Sequence, residues 1–338
     1  MIFVLLLILF SIIIILLKFL MPHIYQIILF ELYSAYICVD TKIKDAIDGP
    51  RFNKVSLYSQ SSSIAVLTGG NRGIGLEVLK KLLQCEMTVI LGVRNIEAAR
   101  KSIESSIDSS LLMNKVIYEN CDTGDMSSVR EFAKRVQERC QGINLLINNA
   151  GILEVPFKLT KDGFETQMAV NYIGHFLLTH LLMPQLIAGS KESGRISRIV
   201  CTSSDSHFAG KIKFDDFNCT KVELAIAMFT KHLHRVCMKN GWNVQPYAAH
   251  PGFVNSGLFA SSALGFNSLR QSILKTTEQG SRSIVYAAIA PELESNGGAY
   301  IFNCRPSKMC KTAMDVVECR KLLLFTCDFL GIKNFGIK

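Results

Sequence analysis

The run Ile64-Ala65-Val66-Leu67-Thr68-Gly69-Gly70-Asn71-Arg72-Gly73-Ile74-Gly75 decides the fold. Its first five residues are apolar and rich in β-branched side chains, the pattern of a short strand buried on both faces. That strand runs without a spacer into TGGNRGIG, residues 68–75, and a helical segment follows over Leu76–Gln84. Glycine clusters alone are common in turns. Between a strand and a helix each glycine acquires a separate task. Gly69 permits the tight turn, Gly73 lets backbone approach a pyrophosphate, and Gly75 allows the helix to pack closely. Ile74, between the last two, belongs to the same turn, whose helix N-terminal N–H groups face the phosphates. A dinucleotide site is therefore expected here.

Outward from this run the pattern alternates. Short apolar runs at 87–92, 116–121, 143–148, 199–202 and 244–249 predict strands. Helical stretches are predicted over 126–139, around 165–188 and near 223–239. Repeated strand–helix units of this length give an α/β class: a Rossmann-like, doubly wound parallel sheet with helices on both faces. No repeat and no convincing linker interrupts the chain after residue 62, so residues 63–338 are assigned to one domain. The terminal RKLLLFTCDFL, 320–330, has helical spacing and either packs on that domain or forms a lid.

Residues 2–17, IFVLLLILFSIIIILL, carry no charge. With Met1 and the apolar residues around Lys18 the run approaches the ~20 residues of a membrane helix, so residues 1–21 are expected to anchor the chain. A cleaved signal peptide is disfavoured, because no basic residue precedes the run and no small-residue cleavage site follows it. Lys18, Lys42, Lys44, Arg51 and Lys54 lie on the C-terminal side, which places the main domain in the cytosol. Residues 22–62 form an interfacial and linking segment: Pro22 breaks the helix, and the apolar stretch 24–38 contains Glu31.

The chain has 338 residues and a net charge of +9, with 37 basic against 28 acidic side chains. The basic residues are scattered, and no nucleic-acid motif is present, so no nucleic-acid partner is expected. The 11 cysteines include no Cys-x-x-Cys pair. That argues against a zinc site or a disulfide framework, and for a reducing compartment.

These motifs, in this order, resemble the short-chain dehydrogenase/reductase family from about Ile64 to about Asn303. Asn148-Asn149-Ala150-Gly151 matches the family's NNAG element beside the cofactor. Asn171 in VNYIGHFLL matches its catalytic asparagine, whose helix distortion holds a relay water. Ser204, the last residue of IVCTSS, matches the serine that hydrogen-bonds the substrate oxygen. Pro251-Gly252 followed by Ser256 is similar to the segment that meets the nicotinamide carboxamide. Asp122 falls where an acidic residue contacts the adenine ring. DGFETQMAVNYIGHFLLTHLL and YAAIAPELESNGGAYIFN look most like retinol-dehydrogenase-like members, nearest to the X-linked dehydrogenase/reductase group. The resemblance implies an alcohol/carbonyl oxidoreductase acting on a retinoid or polyprenoid at a membrane, the endoplasmic reticulum or a related one.

Arg72 lies inside the glycine loop, and Arg94 follows the second strand in LGVRN. An NAD-preferring protein commonly places a carboxylate at the latter position. A guanidinium there grips a 2′-phosphate, so NADP(H) is the preferred cofactor, with NAD(H) left open.

The chain departs from the family at one decisive place. The Tyr-x-x-x-Lys pair is expected between Ser204 and the helix ELAIAMFTKHLHR, yet no tyrosine occurs between Tyr172 and Tyr247. Counting forward from Ser204 aligns Phe217 and Lys221 with the pair. Counting back from the helix aligns Cys219 and Glu223, and preserves the helical face. The second register is preferred, and it leaves a loop's worth of residues absent after DDFN, 215–218. Neither register restores the acid. A phenylalanine has no hydroxyl, and a thiol does not share phenol geometry. His207 reads as a core or surface residue, and no G-x-S-x-G elbow supports a hydrolase. Three readings therefore stay open: an oxidoreductase whose acid is missing from this sequence, a membrane-anchored, nucleotide-binding pseudoenzyme, and a product that folds poorly because the gap falls at the start of a central helix.

Overall fold

A computed structural model describes residues 36, 39–40, 42–113, 115–153, 155–219, 222–255 and 274–336. The expected anchor 1–21, with Lys221 and Ser256, lies outside the described residues. Among those described, no helix is long and apolar enough to cross a membrane.

The sheet has eight strands: β1 Ile64–Thr68, β2 Thr88–Val93, β3 Val116–Asn120, β4 Leu145–Asn148, β5 Ser197–Thr202, β6 Val244–His250, β7 Tyr300–Phe302 and β8 Arg305–Ser307. Their order is β3-β2-β1-β4-β5-β6-β7-β8. Every pairing is parallel except β7 with β8. The order reverses direction between β1 and β4, and the crevice there, at the carboxyl ends of the strands, is where such sheets take ligands.

Helices α1 Gly73–Gln84 and α2 Ile96–Glu104 cover one face, and α3 Met126–Arg139, α4 Gly174–Ser193 and α5 Val222–Lys239 cover the other. Helix α6 Thr277–Ile289 joins α1 on the first face, and α7 Val316–Phe329 packs over α5 on the second. The central strands are buried on both sides, so β1 and β4 read as unbroken apolar runs. Each face holds its own core. Val78, Leu82, Leu91 and Ile284 contribute to the first, and Phe132, Ile173, Phe176 and Leu322 to the second.

The terminal segment 320–330 therefore belongs to the packed body, since Leu322, Leu323 and Cys327 are buried against the second core. Helix α3 begins at Asp125, whose carboxylate accepts from the Ser127 and Ser128 amides. Helix α6 opens with a reciprocal capping box between Thr276 and Gln279.

Residues 42–52 are helical and lie against the domain on one side only. Asp45 pairs with Lys275 at 2.7 Å and accepts from Asn303 at 3.0 Å, and Asp48 pairs with Arg305. Tyr36, Val39, Ile43 and Ile47, at helical spacing, are exposed.

Candidate active site

The glycine loop is built by steric necessity. Gly69 and Gly73 have φ of +69° and +57°, in the left-handed region that glycine enters freely. A Cβ on Gly75 would stand 2.1 Å from the Gly69 carbonyl oxygen, well inside contact distance. The first turn of α1 is thus pressed against the end of β1, where a side chain would fill the space. Arg72 is the N-cap residue of α1, with an extended backbone and no side-chain cap. The first-turn amides thus have no side-chain cap, as a phosphate cradle requires. Loop and expected dinucleotide fit each other.

The Asn148–Gly151 element locks onto this loop. The Asn149 side chain donates to the carbonyls of Thr68 and Gly69, at 3.0 and 3.2 Å. Asn148, buried, donates to Thr179 Oγ1 at 3.0 Å, while its Oδ1 has no partner among the described residues. The amides of Asn149 and Ala150 both point at Thr68 Oγ1, at 3.0 and 3.1 Å. A Cβ on Gly69 would lie 2.9 Å from the Ala150 Cα, so the two segments touch backbone to backbone. Gly151 sits beside Asn171, whose Oδ1 would be 3.5 Å from an added Cβ.

Asn171 lies in a π-helical turn, Ala169–Ile173, immediately before α4. The Gly174 amide reaches back to the Ala169 carbonyl, five residues away, which marks the bulge. Helix distortion at this asparagine, expected from the resemblance, is therefore present. The Asn171 side chain clamps Ile152, accepting from its amide at 3.0 Å and donating to its carbonyl at 2.9 Å. The Asn171 carbonyl meets His175 Nδ1 at 3.1 Å, and His175 Nε2 meets Thr68 Oγ1 at 2.9 Å. Burial lowers the His175 pKa to about 4, so the ring is neutral at physiological pH. Thr68 and His175 were not legible as site residues, because one hydroxyl and one histidine in apolar runs read as core.

Ser204 ends the strand-to-turn passage after β5 and caps a short 3-10 turn, Asp205–Ala209. Its Oγ lies 2.9 Å from Ser206 Oγ and accepts from the Ser206 amide at 3.3 Å. His207 is wholly buried, and its Nδ1 lies 2.8 Å from the Ser204 carbonyl, so it packs beneath the turn. Behind the serine, Tyr300 donates to Asp205 Oδ1 at 2.7 Å and His250 stands 3.5 Å from Asp205 Oδ2. Pro251 and Gly252 follow β6; Gly252 has φ +86°, and a Cβ there would meet Lys275 Nζ at 2.8 Å.

On the far side of the loop, Arg94 and Asp122 line an open cleft of about 450 Å³ with Asn120, Ser128, Glu131 and Arg135. Asp122 accepts from the Gly124 amide at 2.9 Å. Arg135 is held by Glu119 and the Asn120 carbonyl, whereas at the exposed Arg94 it is the backbone carbonyl that accepts from the Asn120 side chain.

Neither register supplies a phenol in place of the missing tyrosine. Phe217 belongs to a short 3-10 turn, Phe217–Cys219, and its ring is buried against Tyr172, Phe325 and Phe329. Helix α5 begins at Val222, so Glu223 falls in its first turn. Tyr172 is itself unsuited as an acid: it is fully buried, shares a hydrogen bond with Thr326, and burial pushes its pKa far up.

Comparison with known proteins agrees with this geometry. Residues 63–264 match the model of the short chain dehydrogenase family. Human polyprenol dehydrogenase is 32% identical over 283 residues, covering 80% of this chain and 85% of that one. Bovine retinol dehydrogenase 12 is 34% identical over 282 residues, covering 80% and 87%. Among solved structures, an uncharacterised protein from Mycobacterium paratuberculosis aligns with a TM-score of 0.64 at 28% identity, covering 82% of this chain and 96% of that one. An NADPH-bound carbonyl reductase from chicken fatty liver shares the fold, with a TM-score of 0.56, 21% identity, and 75% and 94% covered.

Proposed function

This chain belongs to the short-chain dehydrogenase family, and on that premise we propose that it binds NADP(H) and serves alcohol/carbonyl interconversion on a lipid-like substrate, a retinoid or polyprenoid. The observation that carries this reading is the loop itself: Gly69 and Gly73 turn at positive φ, Gly75 leaves no room for a side chain, and Asn149 buttresses the turn. Gly69, Arg72, Gly73, Ile74 and Gly75 would take the pyrophosphate. Asn148, Ala150, Gly151, Pro251, Gly252 and Ser256 would border the nicotinamide, and Asp122 the adenine. The preference for the phosphorylated cofactor rests on Arg94 at the cleft rim, with no acid at its position. The lipid-like substrate is supported by relatives that are polyprenol and retinol dehydrogenases.

The nicotinamide supplies hydride transfer when bound. The chain's part is to orient the substrate oxygen through Ser204, to hold Asn171 in its turn, and to exclude water from the crevice. Attachment to a membrane of the endoplasmic reticulum or a related one, with the domain in the cytosol, belongs to the same proposal. Its support is the uncharged run 2–17 and the exposed stripe Tyr36–Val39–Ile43–Ile47.

A second reading, cofactor binding without turnover, is favoured by one observation: Phe217, which the count from Ser204 aligns with the family's tyrosine, has no hydroxyl and is buried in the aromatic cluster. Lys221, if it serves, would do so without its usual partner. Fluorescence titration with NADPH and NADH, followed by assay on retinal and a polyprenal, separates the readings. NADPH binding with Ser204-dependent turnover supports the first. Binding with no turnover supports the second, and no binding of either dinucleotide overturns both.

A further inference from the structure

Thr68 Oγ1 has one proton and two lone pairs. The lone pairs receive the amides of Asn149 and Ala150 at 3.0 and 3.1 Å. The proton has two candidate acceptors, His175 Nε2 at 2.9 Å and the Ile147 carbonyl at 3.4 Å. If it went to Ile147, a proton on Nε2 would face an oxygen with no lone pair left. The consistent assignment sends the Thr68 proton to Nε2, which must then be bare. Nδ1 carries the ring proton and donates it to the Asn171 carbonyl at 3.1 Å. An imidazolium is excluded by the same count.

We propose that His175, held as the neutral Nδ1–H tautomer, is a positioning residue that couples the dinucleotide loop to the π-helical turn carrying Asn171. The bulge shifts the helical amides by one residue, as the Gly174-to-Ala169 bond shows. A side-chain donor one turn on meets the Asn171 carbonyl and fixes where it points. At the other end, Thr68 holds Asn149, and Asn149 holds the Gly69 carbonyl. Gly174 fixes the third side, since a Cβ there would stand 2.0 Å from the Thr123 carbonyl oxygen. The ends of β1 and β4 and the start of α4 are thereby joined through one ring. Only its affinity arm rests on the proposed cofactor binding.

The test has two arms, both on the intact chain. In the first, 15N-labelled imidazole resonances are recorded at neutral pH, His175 being assigned by its loss in His175→Gln. A protonated Nδ1 and bare Nε2 are expected; the reverse tautomer or an imidazolium overturns the proposal. In the second, NADPH is titrated against His175→Gln and His175→Leu. A glutamine amide offers both a donor and an acceptor, so affinity within about threefold of the parent is expected. Leucine offers neither, and a loss of about tenfold or more is expected from two hydrogen bonds of ordinary net worth. A folded leucine variant with parental affinity overturns the coupling. Should that variant not fold, Thr68→Ser and Thr68→Val pose the same question, with serine expected to bind and valine to weaken. If the parent binds no NADPH, the proposed function falls and the tautomer alone decides this proposal.

Discussion

Phe217 meets Tyr172 edge to face, with ring centroids 6.4 Å apart, and on its other side lies 5.0 Å from the ring of Phe325. The residue aligned with the family's tyrosine by counting from Ser204 is thus a structural member of the second core. Phe217→Tyr should therefore create no acid. Its added hydroxyl would enter an apolar cluster, and an unsatisfied buried hydroxyl costs about 1–3 kcal/mol. Thermal unfolding should show a lowered Tm, and retinal reduction should stay at the parental level. A gain of turnover in this variant would show that the ring can swing toward Ser204.

The fold was legible because its central strands are buried on both faces. IAVLT at 64–68 begins and ends as β1 does, and 126–139 coincides with α3. Strands β7 and β8, three residues each, are too short to express a period, and neither was predicted. The cradle was legible because each glycine answers a local backbone demand. The Thr68–His175 contact was not, since its partners are 107 residues apart and neither departs from an apolar run. Counting back from the helix favours the register with Cys219 and Glu223, but it cannot say where Phe217 packs. Where Phe217 lies depends on Phe325 and Phe329, more than a hundred residues downstream, and no local spacing carries that information.

Gly75→Ala tests the cradle directly. A methyl 2.1 Å from the Gly69 carbonyl oxygen and 2.6 Å from Asn149 Nδ2 forces either the loop or the start of α1 to move, because the nearer neighbour is backbone. NADPH binding should fall by at least tenfold, roughly the effect of losing one well-placed phosphate contact. Far-UV circular dichroism should change little if the shift stays within the loop. Parental affinity in this variant would mean that the phosphates do not sit at this turn.

Arg94 should set the choice between the two dinucleotides. Its guanidinium stands at the rim of the cleft, whereas Arg135 is already engaged by Glu119 at 2.7 Å. A charge-assisted contact to a 2′-phosphate is worth about 1.5–3 kcal/mol. Arg94→Ala should weaken NADPH by roughly 10- to 100-fold and leave NADH nearly unchanged. Arg94→Glu should invert the preference. Equal losses for both cofactors would assign Arg94 a structural role instead.

His175 also predicts how stability responds to acid. Its folded pKa, lowered by burial from 6.5 to about 4, lies below that of the unfolded chain. Between those values the unfolded state binds more protons, so stability rises with pH across that interval. The contribution is complete above pH 6.5 and is lost as the pH falls toward 4. At 1.36 kcal/mol per pKa unit the loss from this one ring is on the order of 3 kcal/mol. His232, also lowered by burial to about 4, adds in the same direction. Urea midpoints measured from pH 7 down to 4 should therefore fall, and the slope should be shallower in His175→Gln, which cannot take the proton. An unchanged slope in that variant would place the acid sensitivity of the fold elsewhere, with His232→Gln the next variant to measure.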